Sequence, residues 1–555
     1  MSGEFSTKPV PWRAALGWAA VAVAVFAPVR SRYVYHWDAG EFAMAVREFN
    51  VALSQPHAPG YPLYVALGKL ANVVVGEPHA ALVWVSVLAG AWLVAVMFGA
   101  GTEMFGRRAG VAAAVLALTC PQVWFHSGVA FSYAVDAAAV TTLVWLAWRA
   151  AQRGLRTPNK AEASVVGAPF WARPAGFSEN VAGGSPLPQE VLFGGLSWRA
   201  AVGLGLGVAV VGGIRPQTVP PLTILVSYAA WQAGRQRFGK WVLTGVVAAA
   251  GAVVWLVPTI ESAGGWAAFW DIVQRHARNN APVTFSGGGW PAVADNVVAV
   301  GAYCWNGLLL AVVPLAVAML RRDNSVARRW VAWWVTPFLV AGTMVGFTSQ
   351  PGYVLSYLPG MLLLAASALR RVWQIGLVAA VNVLVFLAWP VGWEGALFGV
   401  GRTWREIREH DAMMERTLAA LRAQCDPRET IVYHAAGWFA LGLRHVQVHA
   451  PEYEQYQFGR DPTVPTPVGR EYWSVREGRL EFVAEVPLPV GKQWVMVVPP
   501  GMGREIFRGR LAWETAVEVP GSGGVLRRAS VQELDSTAPH MYEVAPKNRS
   551  TAPKN

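Results

Sequence analysis

The feature that most constrains this chain is a series of apolar runs, each close to the length that crosses a lipid bilayer. A transmembrane helix needs about 20 predominantly apolar residues. Runs of this kind lie near 14–30, 80–101, 109–126, 133–150, 199–214, 218–233, 241–258, 295–320, 329–347, 353–369 and 373–391. Only 14% of the 555 residues are charged, whereas soluble domains carry about 25%. The sequence therefore predicts a polytopic α-helical membrane protein with about eleven transmembrane helices.

The Lys and Arg residues give a formal net charge of +12, and their positions indicate orientation in a membrane. They cluster at the ends of apolar runs, as in "FGRRAG", "GRQRFGK" and "RRDNSVARR", while the alternate connections are poorer in them. Because cytoplasmic loops carry the excess of positive charge, the pattern puts the N-terminus in the cytoplasm. An odd number of crossings then puts the C-terminal region outside. The same clustering argues against a nucleic-acid partner. The first run, with no convincing cleavage site after it, is predicted to be an uncleaved span.

The composition changes near residue 392, where charged residues become common. Beyond it, "RTWREIREHDAMMERTLAALRAQ" predicts an amphipathic helix, "TIVYHAAGWFALGLRHVQVHAP" predicts strand, helix and strand, and "QWVMVVPP" predicts another strand. We expect a transmembrane domain over 1–391 and a soluble, extracytoplasmic α/β domain over 392–555. Within the first domain we expect an outside loop over 31–79. A stretch rich in Pro, Gly and Ser predicts a disordered cytoplasmic loop over 151–198.

The first outside loop contains "YHWDAGEFAMAVREFNVALSQPHAPGYPLY", which places carboxylates and a rigid turn beside the membrane. Asp38 and Glu41, three residues apart, are typical of a helix-capping box, and a rigidly held carboxylate also suits a catalytic base. Both roles stay open. On its own, His57 indicates a turn histidine bonded to backbone, and Tyr61 an interfacial aromatic. The spacing of apolar residues predicts one face of an interfacial helix, formed by Phe42, Val46, Phe49 and Leu53.

The paired motifs "DAGEF" and "HAPGYPLY" resemble one branch of the GT-C superfamily of integral-membrane glycosyltransferases. That branch has a D-[SA]-G-E-F and H-P-P-G-Y-P-L pattern and includes transmembrane protein O-mannosyltransferases. The resemblance implies a GT-C-like fold, with Asp38 as the first-loop acid and Glu41 as its companion. The turn of the family falls on His57 and Tyr61, which are then substrate-binding candidates. Ala58 stands where the family has the first of two prolines.

A second acidic element of the branch is altered here. After the third span the family often has E-x-Y, and the corresponding stretch is "GVAFSYAVDAA". Tyr133 fits this element, but Phe131 stands where the resemblance predicts Glu. Asp136, one helical turn beyond Tyr133, is a candidate substitute. The departure leaves room for an altered or lost activity.

Further polar residues occur where spans end at the predicted outer face. For Arg215 two interpretations stand about even: a side chain that snorkels to the interface, or a clamp for a lipid phosphate. The resemblance favours the clamp. Arg275 and Arg278 follow an interfacial helix pattern with Trp266 on its apolar side. They are expected to anchor that helix, and one of them is a candidate for binding an anionic donor.

The stretch "TSQPGYVLSYLPG" carries Gln350, Tyr353 and Tyr357. By itself it indicates a turn with interfacial tyrosines. The resemblance places similar tyrosine and proline elements near the lipid-donor site, so these three residues are also substrate-binding candidates. The sequence has no glycine-rich phosphate loop that stands out, which favours a lipid-linked donor over a nucleotide sugar.

Together these features predict transfer of a hexose, of the mannose type by resemblance, from a polyprenyl or dolichyl phosphate to an acceptor hydroxyl on a protein, glycan or lipid. Asp38 would accept the proton, with a pKa raised by desolvation, and the anomeric carbon would invert. Arg215, or Arg275 with Arg278, would stabilise the leaving phosphate. Glu41 would orient Asp38 or join it in holding a divalent ion, Mg²⁺ or Mn²⁺.

Two other functions stay open. One is a non-catalytic membrane scaffold with a GT-C fold, which the Phe131 departure favours. The other is a lipid or solute transporter, although the charges collect at one face instead of mid-membrane. The expected location is the plasma (inner) membrane of a bacterium, or the endoplasmic reticulum of a eukaryote.

Overall fold

A computed structural model provides the fold. It describes residues 11–154, 197–232, 238–321, 326–346, 350–388, 403–434, 442–458, 472–476, 479–483, 493–498, 517–518 and 525–530. The predicted disordered loop falls almost entirely on 155–196, outside the described residues, and so does the predicted domain boundary at 391. Residues 151–154 continue a helix, so the first few residues assigned to that loop are helical.

The described part of the first 390 residues is helical. Its helices are α1 Trp12–Phe26, α2 Trp37–Arg47, α3 Pro62–Val75, α4 Pro78–Phe105, α5 Arg107–Thr119, α6 Pro121–Ser127, α7 Tyr133–Gly154, α8 Trp198–Ile214, α9 Val219–Gln232, α10 Phe238–Ser262, α11 Trp266–Asn280, α12 Phe285–Leu308, α13 Val312–Leu320, α14 Val326–Val345, α15 Leu358–Ala368 and α16 Val372–Ala388. Each predicted apolar run contains one or two of these helices. The helical, apolar architecture predicted from the sequence is therefore confirmed.

Several of these helices match the membrane in length. Among the residues that the structure describes, five segments are long and apolar enough to cross it, or six if the bent pair α5 and α6 is one span: Trp12–Val29, Pro78–Phe105, Tyr133–Ala151, Phe238–Ser262 and Phe285–Leu320. Four shorter apolar helices, α3, α8, α15 and α16, accompany them. The bend of 58° between α5 and α6 falls at Pro121, whose ring removes a backbone donor and so favours a helix start. The chain is a membrane protein, and the number of its crossings stays a prediction.

The C-terminal region carries helices and one mixed sheet. Its elements are α17 Trp404–Gln424, β1 Thr430–His434, α18 Leu443–His449, β2 Glu454–Phe458, β3 Tyr472–Arg476, β4 Arg479–Val483, β5 Gln493–Val498, β6 Val517–Glu518 and β7 Val525–Ser530. The strand order is β4-β3-β2-β1-β5-β7-β6. Strand β1 pairs in parallel with β2 and β5, and the other pairs are antiparallel. The strand expected over "HVQVHAP" was wrong, because 443–449 form α18 and the next strand begins at Glu454.

The first outside loop folds into α2, a short 3₁₀ turn at Val51–Leu53, and α3. Helix α2 ends at Arg47 because Glu48 is extended (φ −138°, ψ 113°). The predicted four-residue apolar face was therefore wrong in its second half, since Phe49 and Leu53 lie beyond the helix. Helix α3 starts with Pro62 at its first position and ends at Gly76, whose left-handed backbone (φ 77°) suits glycine.

The C-terminal region contacts this loop directly. The carboxylate of Asp411 on α17 accepts hydrogen bonds from the backbone N–H groups of Arg32 (2.9 Å) and Tyr33 (3.1 Å). The backbone N–H of Val34 donates to Nε2 of His449 on α18 (2.9 Å). The segment before α2, residues 32–34, is therefore fixed by residues more than 370 positions later in the chain.

Candidate active site

The site begins at the N-terminus of α2, which His36 caps. The backbone N–H of Asp38 donates to Nδ1 of His36 at 3.1 Å. Asp38 therefore lies within the first turn, and the predicted capping box with Asp38 as cap was wrong. Glu41 does not reach back to that N–H; one of its oxygens accepts from the indole N–H of Trp37 at 2.8 Å. The histidine takes the capping position that the spacing assigned to the carboxylate.

Glu41 fixes the turn that carries His57. Its second carboxylate oxygen lies 2.5 Å from Nδ1 of His57 and accepts the His57 backbone N–H at 3.2 Å. The Glu41 side chain is 3% exposed, whereas the His57 side chain is 22% exposed. The buried Glu41 thus fixes the position of the His57 imidazole, and part of that imidazole remains exposed.

Asp38 is the more accessible carboxylate, with 23% of its side chain exposed and Oδ1 3.5 Å from Nδ1 of His36. Burial alone would raise the pKa of Asp38, but the charges of His36, His57 and Arg215 outweigh burial and hold that pKa below its ordinary value. The expectation of a raised pKa was therefore wrong in direction. Arg215, which is far from Asp38 in the sequence, and His57, whose pKa is raised, are among the groups that keep Asp38 ionised.

The opposite shift occurs at His57. Burial would lower the pKa of its imidazole, but the carboxylates of Glu41 and Asp38 raise it to about 9. At neutral pH the ring is therefore a cation beside the Asp38 carboxylate.

Three side chains offer a ligand set for a cation. One ligand atom from each of Asp38, Glu41 and His57 lies within 4.8 Å of the other two. Two carboxylates and an imidazole suit Mn²⁺ or Zn²⁺, whereas Mg²⁺ prefers oxygen ligands. The donor set therefore fits a divalent ion, at the cost of the hydrogen bond between Glu41 and His57.

Arg215 follows α8 and is nearly fully buried. Its guanidinium carbon lies 4.1 Å from the ring centroids of both Tyr133 and Tyr353, the geometry of a cation–π sandwich. Its Nη1 is buried without a hydrogen-bond partner among the described residues. This guanidinium lines a small cavity of about 30 Å³ whose other walls include Thr218, Val300, Phe338, Ala341, Tyr353 and Tyr357. The buried Arg215 guanidinium thus faces a mostly apolar cavity and has at least one hydrogen-bond donor unused.

Residues 38–170 match the family model described as the Protein O-mannosyl-transferase TMEM260 N-terminal domain. The predicted resemblance to GT-C glycosyltransferases is confirmed. The match begins at Asp38 and spans the first loop and the helices α4 to α7. No curated protein sequence matches the chain.

Among solved structures, the crystal structure of ArnT from Cupriavidus metallidurans bound to undecaprenyl phosphate superposes with a TM-score of 0.51 at 15% identity. The superposition covers 94% of this chain and 98% of that one. The apo form of ArnT gives a TM-score of 0.48 at 13% identity, over 93% and 98% of the two chains. An archaeal oligosaccharyltransferase, AglB from Archaeoglobus fulgidus, gives 0.39 at 11% identity, over 76% and 62%. At this identity the first likeness shows a shared fold, that of a GT-C protein.

At the position where the resemblance predicts Glu, Phe131 packs among aromatic rings. Phe131 is buried, and its ring lies 5.6 Å from that of His36 and 5.4 Å from that of Tyr133. Asp136 accepts hydrogen bonds from the hydroxyls of Thr218 (2.9 Å) and Ser356 (2.5 Å). Asp136 therefore joins the two turns that flank Arg215 and lies outside the group of three possible metal ligands.

The remaining predicted residues fall on two sides of the site. Gln350 contacts Nε2 of His36 at 2.9 Å, and Tyr61 packs edge-on against His57 while its hydroxyl accepts from Gln217 at 2.7 Å. Tyr357 is buried, stacks on Phe338 and lines the same cavity as Arg215. The structure thus gathers most of the predicted residues around the start of α2 and around Arg215.

The two predicted arginines of α11 are arranged differently. Arg275 forms an ion pair with Asp271 at 2.8 Å, and the Arg278 side chain is exposed, without an ion pair to a described residue. The contact from α11 to the site comes from His276, whose ring stacks 6.1 Å from that of His57. His276 was not selected as a site residue from the sequence.

His36 and Gln217 were not singled out from the sequence. A histidine two residues before an acidic helix start is a weak capping signal, because Ser, Thr, Asp and Asn dominate that position. Gln217 stands in "IRPQT" directly after Arg215 and a proline, and only its proximity to Arg215 could have marked it.

Proposed function

We propose that this protein is a glycosyltransferase that moves a sugar from a polyprenyl or dolichyl phosphate to an acceptor hydroxyl. The observation that carries the proposal is the presence of an accessible, ionised carboxylate, Asp38, together with a buried and incompletely bonded guanidinium, Arg215, which lines a mostly apolar cavity. The charge of Arg215 contributes to lowering the pKa of Asp38, so the two groups interact electrostatically.

Asp38 supplies the base. It accepts the proton of the acceptor hydroxyl while that oxygen forms a bond to the anomeric carbon and the bond from that carbon to the phosphate oxygen breaks. One displacement inverts the anomeric centre. A carboxylate with a lowered pKa is a weak base, but it is present in the ionised form at neutral pH, and proton transfer becomes favourable as the hydroxyl oxygen bonds to carbon.

Arg215 supports the leaving phosphate. Its unpartnered Nη1 can donate to a phosphate oxygen, and charge-assisted hydrogen bonds of this kind are stronger in a dry site. The residues that line this cavity are mostly apolar, as contact with a lipid-linked donor would require. ArnT, which shares the fold, was crystallised with undecaprenyl phosphate, and this supports a lipid-linked phosphate as the donor class.

A divalent ion is a further part of the proposal. Asp38, Glu41 and His57 would hold it, and the ion would supply positive charge next to the departing phosphate. The donor set favours Mn²⁺ over Mg²⁺. If an ion binds here, Mn²⁺ raises the thermal midpoint of the parent but not that of His57→Gln, and EDTA lowers the transfer rate of the parent.

The proposed function includes an orientation of the protein in the membrane. About eleven crossings, a cytoplasmic N-terminus and an outside C-terminal α/β domain would place Asp38 and Arg215 at the outer face of a bacterial plasma membrane. The sugar, of the mannose type by family, and the acceptor, a protein, glycan or lipid, are proposed only as classes. Binding of nucleic acid is not part of the function.

The test is transfer of labelled hexose from polyprenyl phosphates by purified protein in liposomes, with membrane extract as the source of acceptors. The parent should incorporate label and Asp38→Asn should not, because the amide cannot take the proton. Asp271→Asn, on an exposed part of α11, serves as the matched control and should keep the parent rate. Equal transfer by Asp38→Asn would exclude the base assignment. No transfer from any donor by folded protein would favour a scaffold or transporter.

A further inference from the structure

Arg444, on α18 of the C-terminal region, is fully buried against the first outside loop. Its Nη2 donates to the backbone carbonyls of Leu53 (2.6 Å) and Ser54 (3.0 Å), and its Nη1 donates to Oε1 of Gln447 (2.8 Å). The guanidinium carbon lies 5.9 Å from the ring centroid of Trp37. One side chain therefore bonds the 3₁₀ turn and covers the first residue of α2.

The carbonyls that Arg444 binds belong to a tight turn leading to His57. Asn50 and Gln55 exchange two backbone hydrogen bonds, of 2.7 Å and 2.8 Å, which close the turn. Ser54 at its tip is left-handed (φ 52°), a strained conformation for a residue with a side chain. The turn is thus held from one side by Arg444 and, at its end, by the contact of His57 with Glu41.

Arg444 also packs against the helix that carries Asp38. A β-carbon added at Gly40 would lie 2.8 Å from Cβ of Arg444 and 3.3 Å from its backbone carbonyl. Only glycine allows α18 to approach α2 this closely. The same residue of α18 therefore fixes both α2 and the turn before His57, which are the two segments that meet at the Glu41–His57 contact.

Arg444 differs from most buried arginines in that it forms no ion pair with a described residue. No carboxylate in the described part of the chain lies within ion-pair distance of its guanidinium. Burial lowers its pKa to about 10, against the opposing effect of Glu41, so the group remains charged at neutral pH. A buried cation is costly unless its donors are satisfied. Here two of its five N–H donors bond the loop carbonyls and a third bonds Gln447, while Nε has no partner among the described residues. A hydrophobic residue of similar size would leave the two loop carbonyls unpaired.

We propose that Arg444 is a positioning residue for glycosyl transfer, through which the C-terminal region completes the active site. It holds α2 and the 50–55 turn at a fixed separation, and so keeps Glu41 and His57 in register beside Asp38. The inference rests on the proposed function for its kinetic consequence, but its structural consequence can be measured without activity.

Two substitutions at this position test the idea in the full-length protein. Arg444→Met keeps the apolar stem and removes every donor, while Arg444→Lys keeps the charge and can reach one carbonyl. Arg405→Met, on an exposed i,i+4 pair of α17, is the matched control. We expect Arg444→Met to lower kcat about 10- to 100-fold with the KM for the lipid donor nearly unchanged, because misplacement by about 1 Å has effects of this size. Lysine should restore part of kcat, and the control should match the parent.

Hydrogen exchange of the amides in 50–57 provides the readout that does not depend on catalysis. These amides should exchange faster in Arg444→Met than in the parent, while those of α4 do not change. If Arg444→Met fails to fold, Gly40→Ala provides the test. It keeps every donor of Arg444, but the added β-carbon forces α18 away from α2. We expect it to reduce kcat by a similar factor.

A folded Arg444→Met variant with parent kcat and parent exchange would overturn the proposal. A raised donor KM with unchanged kcat would also overturn it, because Arg444 would then act in donor binding. If the parent itself transfers no sugar, the proposed function fails, and unchanged exchange in 50–57 would be needed to reject the positioning role as well.

Discussion

Arg215 and Arg444 are both buried almost completely, yet their surroundings differ. Arg444 gives its hydrogen bonds to the carbonyls of Leu53 and Ser54 and to the amide of Gln447. Arg215 lies between two aromatic rings, and its Nη1 has no partner within the described part of the structure. Arg444 also has one buried nitrogen, Nε, without a partner among the described residues, but it lies away from the cavity that Arg215 lines. A buried guanidinium that donates three hydrogen bonds within the protein holds the fold, while one with an unused donor at a cavity is prepared for an anion. The comparison suggests a positioning role for one arginine and a binding role for the other.

The largest expected difference is in catalysis. Arg215→Gln should lower kcat/KM for a polyprenyl-phosphate hexose by about 10²- to 10³-fold, the cost typical of losing one donor to a developing anion. Kinetics with the purified variant measure this, with Arg405→Gln as the matched control. An Arg215→Gln variant with parent kcat/KM would contradict the assignment of a binding role. Arg444→Met, in contrast, should change kcat alone.

A smaller effect is expected in stabilisation by a ligand. Undecaprenyl phosphate at about 100 times its dissociation constant should stabilise the parent by about 2.7 kcal/mol, seen as a rise in the thermal midpoint in detergent. Arg444→Met should show the same rise, because its site is separate from the cavity, and Arg215→Gln should show little. Equal rises in all three proteins would mean that the lipid binds elsewhere.

The aromatic rings around Arg215 should contribute less than the guanidinium itself. Tyr133→Leu removes one face of the sandwich, and a desolvated cation–π contact contributes about 2 kcal/mol, so kcat/KM should fall about 30-fold. Tyr133→Phe keeps the ring and should stay close to the parent. If Phe and Leu lower kcat/KM equally, the hydroxyl and not the ring is the contributing group.

The smallest expected effect is a pH dependence on the Arg444 side of the molecule. Burial, followed by the charge of His79, lowers the pKa of His449 to about 3. An unfolded histidine titrates near 6.5, so below that pH the unfolded chain binds more protons and the folded state loses stability. Acidification from about pH 7.5 to about pH 6 should therefore lower the free energy of unfolding by about 1 kcal/mol for this residue.

Thermal midpoints of the parent and of His449→Gln, measured at both pH values, isolate that contribution. Glutamine can still accept the Val34 N–H but does not titrate, so its midpoint should fall less on acidification. An equal fall in both proteins would assign the pH dependence to other groups. Since Val34 precedes α2, the same measurement reports how firmly the C-terminal region holds the loop.

Sequence alone was sufficient for the parts of this protein that depend on local composition. Apolar runs located most helices of the first 390 residues, because burial in lipid requires continuous apolar surface. The "DAGEF" and "HAPGYPLY" motifs located Asp38, Glu41 and His57. Residues in one motif lie near each other in any fold. The pairing of Glu41 with His57 across 16 positions was not predicted, although both residues were selected.

Tertiary structure alone decided the charges and partners within the site. The direction of the Asp38 pKa shift depends on His36, His57 and Arg215. Arg215 is far from Asp38 in the chain, and no local sequence pattern predicts that the two interact. Likewise, Gly40 and Arg444 meet only because α18 docks on α2, roughly 400 residues apart in sequence. Electrostatic and packing energies depend on distances in space, whereas periodicity and composition report only on neighbours along the chain.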